Sequence, residues 1–375
     1  MSKRAVISVS NDLQHDQRVG RVCQTLHDQG YEVLLVGRLT QYSEPMSRPF
    51  KIRRFSLSFS KGFAFYAEFN IRLFLFLLKQ KNDLLYSNDL DTLLPNYLVS
   101  RLRSIPLIYD SHEYFTEVPE LIDRPRVRSF WLRLEKLIFP RLKNVIAVNK
   151  EIARIYSDKY GVPVSVVRNV PPFTPKETSA LKNSSNKNSS KLKSEKRKEV
   201  VLIYQGALNL GRGIELMIDC MEFLDNGRLL IVGTGDVEER LKKRVKVKRL
   251  SDRVHFKGRI DPTSLKSLTS QASLGFSLEE DMGLNYRLAL PNKIFDYIHA
   301  GVPVIVSDLP VMKKFVIDNK VGAVLKDRTP EALSQLITKV LSERKSYDQN
   351  LRAAAERFNW DKEKLELLQL IENLD

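Results

Sequence analysis

Leu290-Pro291-Asn292-Lys293-Ile294-Phe295-Asp296-Tyr297-Ile298-His299-Ala300-Gly301-Val302-Pro303-Val304-Ile305-Val306-Ser307 reads as a helix entered at a proline, closed at a glycine and followed at once by a buried strand. Pro291 suits a first helical turn, and Asn292 is placed to cap free backbone N–H groups there. Gly301 is a C-terminal stop, and Val302–Val306 is a short apolar run of the kind found in parallel sheets. A helix start attracts anions, and Lys293 lies in its first turn. Asp296 follows one turn later on nearly the same face.

Outward from this stretch the same alternation repeats. Before it come the expected strands Val200–Gln205, Arg228–Val232, Val254–Lys257 and Ser273–Ser277, separated by helical patterns over Ile214–Leu224, Val237–Arg244 and Pro262–Gln271. Helical patterns over Leu333–Leu341 and Lys362–Leu374 follow it. The first half has its own series: strands Ala5–Val9, Glu32–Val36, Asp83–Tyr86, Leu107–Tyr109 and Asn144–Val148, with helical stretches through Val19–Leu26, Phe65–Lys79 and Leu93–Arg103. Strands separated by helices imply doubly wound parallel sheets, with ligands at the strand C-terminal ends. Between the halves, Thr174–Lys198 is polar, basic and of low complexity, with almost nothing to bury, and reads as a solvated linker. The expected division is an N-terminal α/β domain over 1–173, a linker over 174–198, a C-terminal α/β domain over 199–360, and a closing helix over 361–375 that packs back on the first domain.

At 375 residues the chain accommodates two domains, and 43% hydrophobic with 28% charged residues fits a globular protein. A net charge of +16 calls for anionic partners: phosphorylated substrates, acidic headgroups or nucleic acid. The two cysteines, Cys23 and Cys220, suggest neither a disulfide framework nor a zinc site and read as buried thiols in a reducing compartment. Ala5–Val9 is too short for a signal peptide and Leu73–Leu78 falls well short of the ~20 residues of a membrane span, so a cytoplasmic protein is expected.

A phosphate-holding helix start beside a carboxylate able to receive sugar hydroxyls suits a nucleotide-sugar. The wider pattern resembles glycosyltransferase family 4, whose fold is the GT-B arrangement of two Rossmann-like domains facing across a cleft. Tyr204–Glu215, with Gly206 and Arg212, resembles the family's donor-phosphate loop. Leu229–Gly235, with Gly233 and Gly235, resembles its nucleotide-side glycine turn. Val254–Gly258, leading to Ile260, resembles its base-side strand and loop. Asp296 with Ala300–Val304 resembles the second half of its E-x7-E element. The N-terminal half resembles a narrower subgroup through Ser10-Asn11-Asp12, Asp16–Val19, Asn88–Leu93 and Tyr109-Asp110-Ser111-His112-Glu113.

The resemblance implies a retaining hexosyltransferase acting without a metal, on a UDP- or GDP-linked donor and a glycan or lipid-linked acceptor, in surface-polysaccharide or glycoconjugate assembly. Negative charge develops on the departing diphosphate, so preorganised donors are the main catalytic resource, and Arg212, Lys293 and the N–H groups near Asn292 fit that role. His112 is a donor-sugar or acceptor contact, and Asp16, Arg18 and Glu113 are acceptor-side candidates. Each has a plainer reading: Arg212 and Lys293 as solvated cations, Asp296 as a polar helix face, His112 as a structural histidine, and Asp16 with Arg18 as a local ion pair capping the first helix. Ala207 replaces the usual basic residue after the first donor glycine. Leu288 stands where the first E-x7-E carboxylate belongs, leaving Glu279, Glu280 or Asp281 to reach in.

Asp89-Leu90-Asp91 has the spacing of a metal-binding pair, but a role for Asp91 or Thr92 in capping the next helix fits better, and no metal is expected. Phe63, Phe65, Tyr66, Phe69, Phe74 and Phe76, with Lys51, Arg53, Arg54, Lys61 and Arg72, read as a core-packing helix or as an interfacial one touching an anionic membrane. Two other functions remain open at this level: a nucleotide-sugar epimerase of the same fold, and a non-catalytic binder of membrane or nucleic acid. No nucleic-acid motif is present, so nucleic acid is not an expected partner.

Overall fold

The computed structural model describes residues 2–14, 16–174 and 199–374, so nearly all of the basic low-complexity segment lies outside the described residues. The chain divides into two units, Met1–Asn169 with Lys362–Asp375, and Val170–Asp361.

The first unit runs β1 (Arg4–Ser8), α1 (Gln17–Asp28), β2 (Glu32–Leu39), β3 (Lys51–Ser56), α2 (Gly62–Lys79), β4 (Leu84–Asn88), α3 (Leu90–Arg103), β5 (Leu107–Ser111), α4 (Pro119–Ile122), α5 (Pro125–Ile138), β6 (Asn144–Ala147), α6 (Lys150–Tyr160) and β7 (Val164–Val166). Its seven strands are parallel in the order β3-β2-β1-β4-β5-β6-β7. Arg168 donates through its backbone N–H (2.7 Å) and its guanidinium (2.8 Å) to the Glu363 carboxylate, which ties the closing helix Trp360–Glu372 to this unit.

The second unit contains β8 (Val201–Gln205), β9 (Arg228–Val232), β10 (Val254–Gly258), β11 (Leu274–Ser277), β12 (Val304–Ser307) and β13 (Gly322–Leu325). These six strands are also parallel, in the order β10-β9-β8-β11-β12-β13. Each sheet therefore reverses its winding at one point, between β1 and β4 and between β8 and β11. Crevices beyond the strand ends at such points are where doubly wound sheets bind ligands.

Burial on both faces explains why these strands open as short apolar runs. All five residues of β4, β5 and β8 are buried. The strand that sequence reading overlooked, β3, is the opposite case. Its Lys-Ile-Arg-Arg-Phe-Ser run pairs with β2 from Leu34 opposite Lys51 to Leu39 opposite Ser56, and its charges mark a protected sheet edge. The short strands β7 and β13, and the helices α5, α6, Pro310–Asn319 and Arg344–Arg357, were likewise not anticipated.

In the stretch Leu290–Ser307 the helix covers Asn292–His299, but Pro291 stands at its N-cap and no side chain caps it. Asn292 is thus the first helical residue, exposed, and not the expected cap. The other end closes as expected. Gly301 takes φ +68°, its N–H reaches Ile298 O (3.0 Å), and the Val302 N–H reaches Tyr297 O (2.8 Å), which is the paired hydrogen bonding of a Schellman stop. Ile294, Phe295, Tyr297 and Ile298 enter the core, and β12 follows fully buried. Cys23 and Cys220 are buried free thiols.

Candidate active site

In the second unit the residues with phosphate-binding chemistry gather where β8 and β11 end. Gly206 follows the buried Gln205 at the end of β8 with φ +140°, a conformation open to glycine. A Cβ there would lie 3.4 Å from Lys293 Cε and Nζ, so the lysine lies against this turn. Lys293 itself is only 9% exposed. Its Nζ donates to Glu279 Oε1 (3.0 Å) and stands 4.3 Å from the centre of the Tyr204 ring. Arg212 approaches the same carboxylate oxygen at 3.7 Å and stacks over Tyr286 at 5.3 Å.

Glu279 is 1% exposed, and its other oxygen accepts from the Ser277 hydroxyl (2.7 Å). Burial pushes its carboxyl up. Lys293, Arg212 and the Ser277 hydroxyl outweigh that and hold it below the usual carboxylate range. Two cations on one carboxylate leave the cluster net positive, with both heads fixed before any ligand arrives. The segment carrying Glu279 is held in turn by Arg328, which donates to Leu278 O (3.0 Å) and to the Ser307 hydroxyl (2.7 Å).

Glu279 thus lies where the absent carboxylate at Leu288 left a question, and it meets the cations. Asp296 accepts from Gln205 Nε2 (2.8 Å), and Gln205 Oε1 accepts from Thr269 (2.8 Å), so that carboxylate is anchored to the end of β8. The two turn glycines are required by packing. A Cβ on Gly233 would fall 1.9 Å from Gly206 O, and one on Gly235 would fall 2.5 Å from Leu208 O. The Gly206 N–H donates to Val232 O (3.0 Å) and the Gly233 N–H to Gly258 O (2.8 Å), so the three strand-end turns lie one on another. Ile260 is partly buried against the core.

The first unit brings its candidates together at the matching strand ends, though not in the roles expected. Arg18 is 1% exposed and grips Asp110 with two bonds, Nε to Oδ2 (2.9 Å) and Nη2 to Oδ1 (2.6 Å), while Nη1 donates to Val167 O (2.7 Å). It is an interior strut, not an acceptor contact on the rim. Asp16 caps α1 by accepting from the Val19 N–H (3.0 Å) and accepts from Asn11 Nδ2 (2.8 Å), so of the plainer reading the cap holds while Arg18 pairs with Asp110 instead. Glu113 is half-buried and its carbonyl accepts from the Ser111 hydroxyl (2.7 Å).

His112 is surrounded by acceptors. Nδ1 lies 3.4 Å from Asp89 Oδ2, and Nε2 lies 3.1 Å from Asn88 Oδ1 and 3.6 Å from Asp110 Oδ2. Burial would lower its pKa; Asp89 and Asp110 outweigh burial and raise it to about 9. Burial also raises the Asp89 carboxyl, with His112 opposing.

The Asp89 and Asp91 carboxylates each take a hydrogen-bond partner outside the helix that follows. Asp89 sits ahead of α3 at φ +57° without capping it, and its Oδ1 accepts the His112 N–H (2.9 Å). Asp91 accepts from the Ser10 hydroxyl (2.5 Å), and the Thr92 hydroxyl donates to Asn88 O (2.7 Å). Neither Asp91 nor Thr92 is the helix cap.

Residues 17–174 match the model of Glycosyltransferase Family 4, and residues 185–358 match that of Glycosyl transferases group 1. An uncharacterized glycosyltransferase of Methanocaldococcus jannaschii is 24% identical over 248 residues, covering 64% of this chain and 60% of that protein. Sucrose-phosphate synthase from Thermosynechococcus elongatus superposes with a TM-score of 0.76 at 20% identity, covering 100% of this chain and 99% of that one. Anabaena HepE in complex with UDP-glucose superposes with a TM-score of 0.69 at 14% identity, covering 99% of each chain. With both halves matched in order and the GT-B fold shared, the chain belongs to the family 4 glycosyltransferases.

Proposed function

We propose that the protein transfers a hexose from a UDP- or GDP-linked donor to a glycan or lipid-linked acceptor, with retention and without a metal, in the assembly of a surface polysaccharide or glycoconjugate. The observation that carries this reading is the pair of cations, Arg212 and Lys293, fixed on buried Glu279 at the β8/β11 reversal. A diphosphate placed there gains donors that need no reorganisation, and their hold strengthens as charge builds on the departing group. In the reaction the bond from the anomeric carbon to the diphosphate oxygen breaks and a bond to the acceptor oxygen forms. The acceptor proton passes to the departing diphosphate, so no protein nucleophile is needed. Asp296, fixed by Gln205, is placed to receive sugar hydroxyls.

Support for a nucleotide-sugar donor comes from HepE, a protein of the same fold crystallised with UDP-glucose. The test is protection from thermal unfolding across UDP, GDP and ADP, followed by a donor screen read as release of nucleoside diphosphate. Absence of a shift with every nucleoside diphosphate would sink the reading.

A further inference from the structure

The first unit carries an apolar and basic face that its own core does not use. Helix α2 buries Phe65, Phe69, Leu73 and Leu77 on one side. On the opposite side Ile71, Leu75 and Leu78, spaced i, i+4, i+7, are 61%, 51% and 37% exposed. A helix apolar on all sides belongs inside a core or in contact with lipid, and among the described residues nothing covers this outer face.

The neighbouring helices extend the patch. Leu98 and Leu102 of α3 and Leu137 of α5 are exposed, and Phe63 at the start of α2 meets Phe130 of α5 edge-on at 5.7 Å. Together α2, α3 and α5 contain eight Lys or Arg residues against three acids, of which Asp91 and Glu135 are buried. No helix of the described residues is long and apolar enough to cross a membrane.

We infer that the face formed by α2, α3 and α5 docks the enzyme on an anionic lipid surface, its apolar side chains entering the headgroup boundary and its basic residues facing acidic headgroups. The combination selects the occupant. A nucleic acid would match the charge and leave the apolar side chains in water. A second copy of this face would match the apolar residues and set its basic residues against their own kind. An acidic bilayer answers both features. The surface differs from the stretch first suspected. Phe65 and Phe69 are core residues, and Lys51, Arg53 and Arg54 belong to edge strand β3.

The test is co-sedimentation of the full chain with vesicles of phosphatidylcholine and phosphatidylglycerol in equal parts, against phosphatidylcholine alone. No nucleotide is present, so the outcome is independent of the donor-site reading. The wild type is expected to pellet with the acidic vesicles only and to be released by high salt. Ile71→Glu with Leu75→Glu, and separately Arg101→Glu with Arg126→Glu, alter exposed positions and should leave the circular dichroism and melting temperature unchanged. Each pair is expected to weaken partitioning at least about tenfold, as about 1 kcal/mol per basic residue near an acidic surface implies. The inference is overturned if the wild type stays in the supernatant, or if both pairs bind as the wild type does. It is equally overturned if the wild type forms a dimer in the ultracentrifuge that Ile71→Glu with Leu75→Glu dissolves, because the face then belongs to a second copy.

Discussion

His112 is held as an imidazolium, and replacing Asp89 by asparagine should release it. Both ring nitrogens face acceptors, which only the doubly protonated ring satisfies. The ring's pKa is raised from 6.5 to about 9, with Asp89 the strongest of the raising influences. Asp110 adds to this by its charge and by a hydrogen bond, while Arg18 opposes it. Asparagine at position 89 keeps an oxygen to accept the His112 N–H and removes the charge. Loss of an opposite charge at this range lowers a pKa by about one to three units, so His112 should titrate at least about one unit lower in the variant.

The raised value means that protonation of His112 favours the folded state. Because the folded pKa lies above the unfolded one, the stabilisation is complete below about pH 6.5 and is lost as pH rises through about 9. Nitrogen-15 NMR of the side chains reads the titration directly, with His112→Gln identifying the resonance among the five histidines. A wild-type His112 titrating near 6.5, or one indifferent to Asp89→Asn, would refute the reasoning.

Arg18→Met leaves Asp110 buried with its principal cation gone, and loss of one partner of such a pair costs about 3–5 kcal/mol; the melting temperature should fall by several degrees, and an unchanged value would show that the strut is dispensable. Gly233→Ala drives a methyl into Gly206 O in a backbone region that only glycine tolerates, so about 1–3 kcal/mol of strain should appear as weakened nucleoside diphosphate binding, measured by calorimetry. Transfer activity should survive exhaustive EDTA treatment, since Asp89 and Asp91 are engaged by His112 and Ser10; loss on chelation and recovery with Mn²⁺ would reverse that assignment.

Both doubly wound sheets were legible because burial on two faces writes strands such as β8 and β12 as short apolar runs. Edge strand β3 was not, because half its residues are basic, and charge at an edge mimics a loop. Among site residues, Lys293 was visible from the helix start at Pro291 and Arg212 from the glycines on either side of it. Glu279 was narrowed only to three acids, because the choice among them depends on which one the β11 turn and Arg328 direct inward. Arg18 was misplaced for a related reason. Its place just beyond the first strand suggested an acceptor contact, whereas its partner Asp110 is 92 residues away and nothing local announces the pair. The outer face of α2 was hidden in a different way, since a pattern apolar all round does not show which side the core takes.

The central claim is that Arg212 and Lys293 form a preorganised diphosphate site. Calorimetric titration of UDP and GDP into the wild type, Arg212→Met and Lys293→Met tests it most directly. The expected result is saturable binding of one nucleoside diphosphate by the wild type, weakened at least about tenfold in each variant by loss of a charge-assisted hydrogen bond. Binding of equal strength in all three proteins would contradict the account.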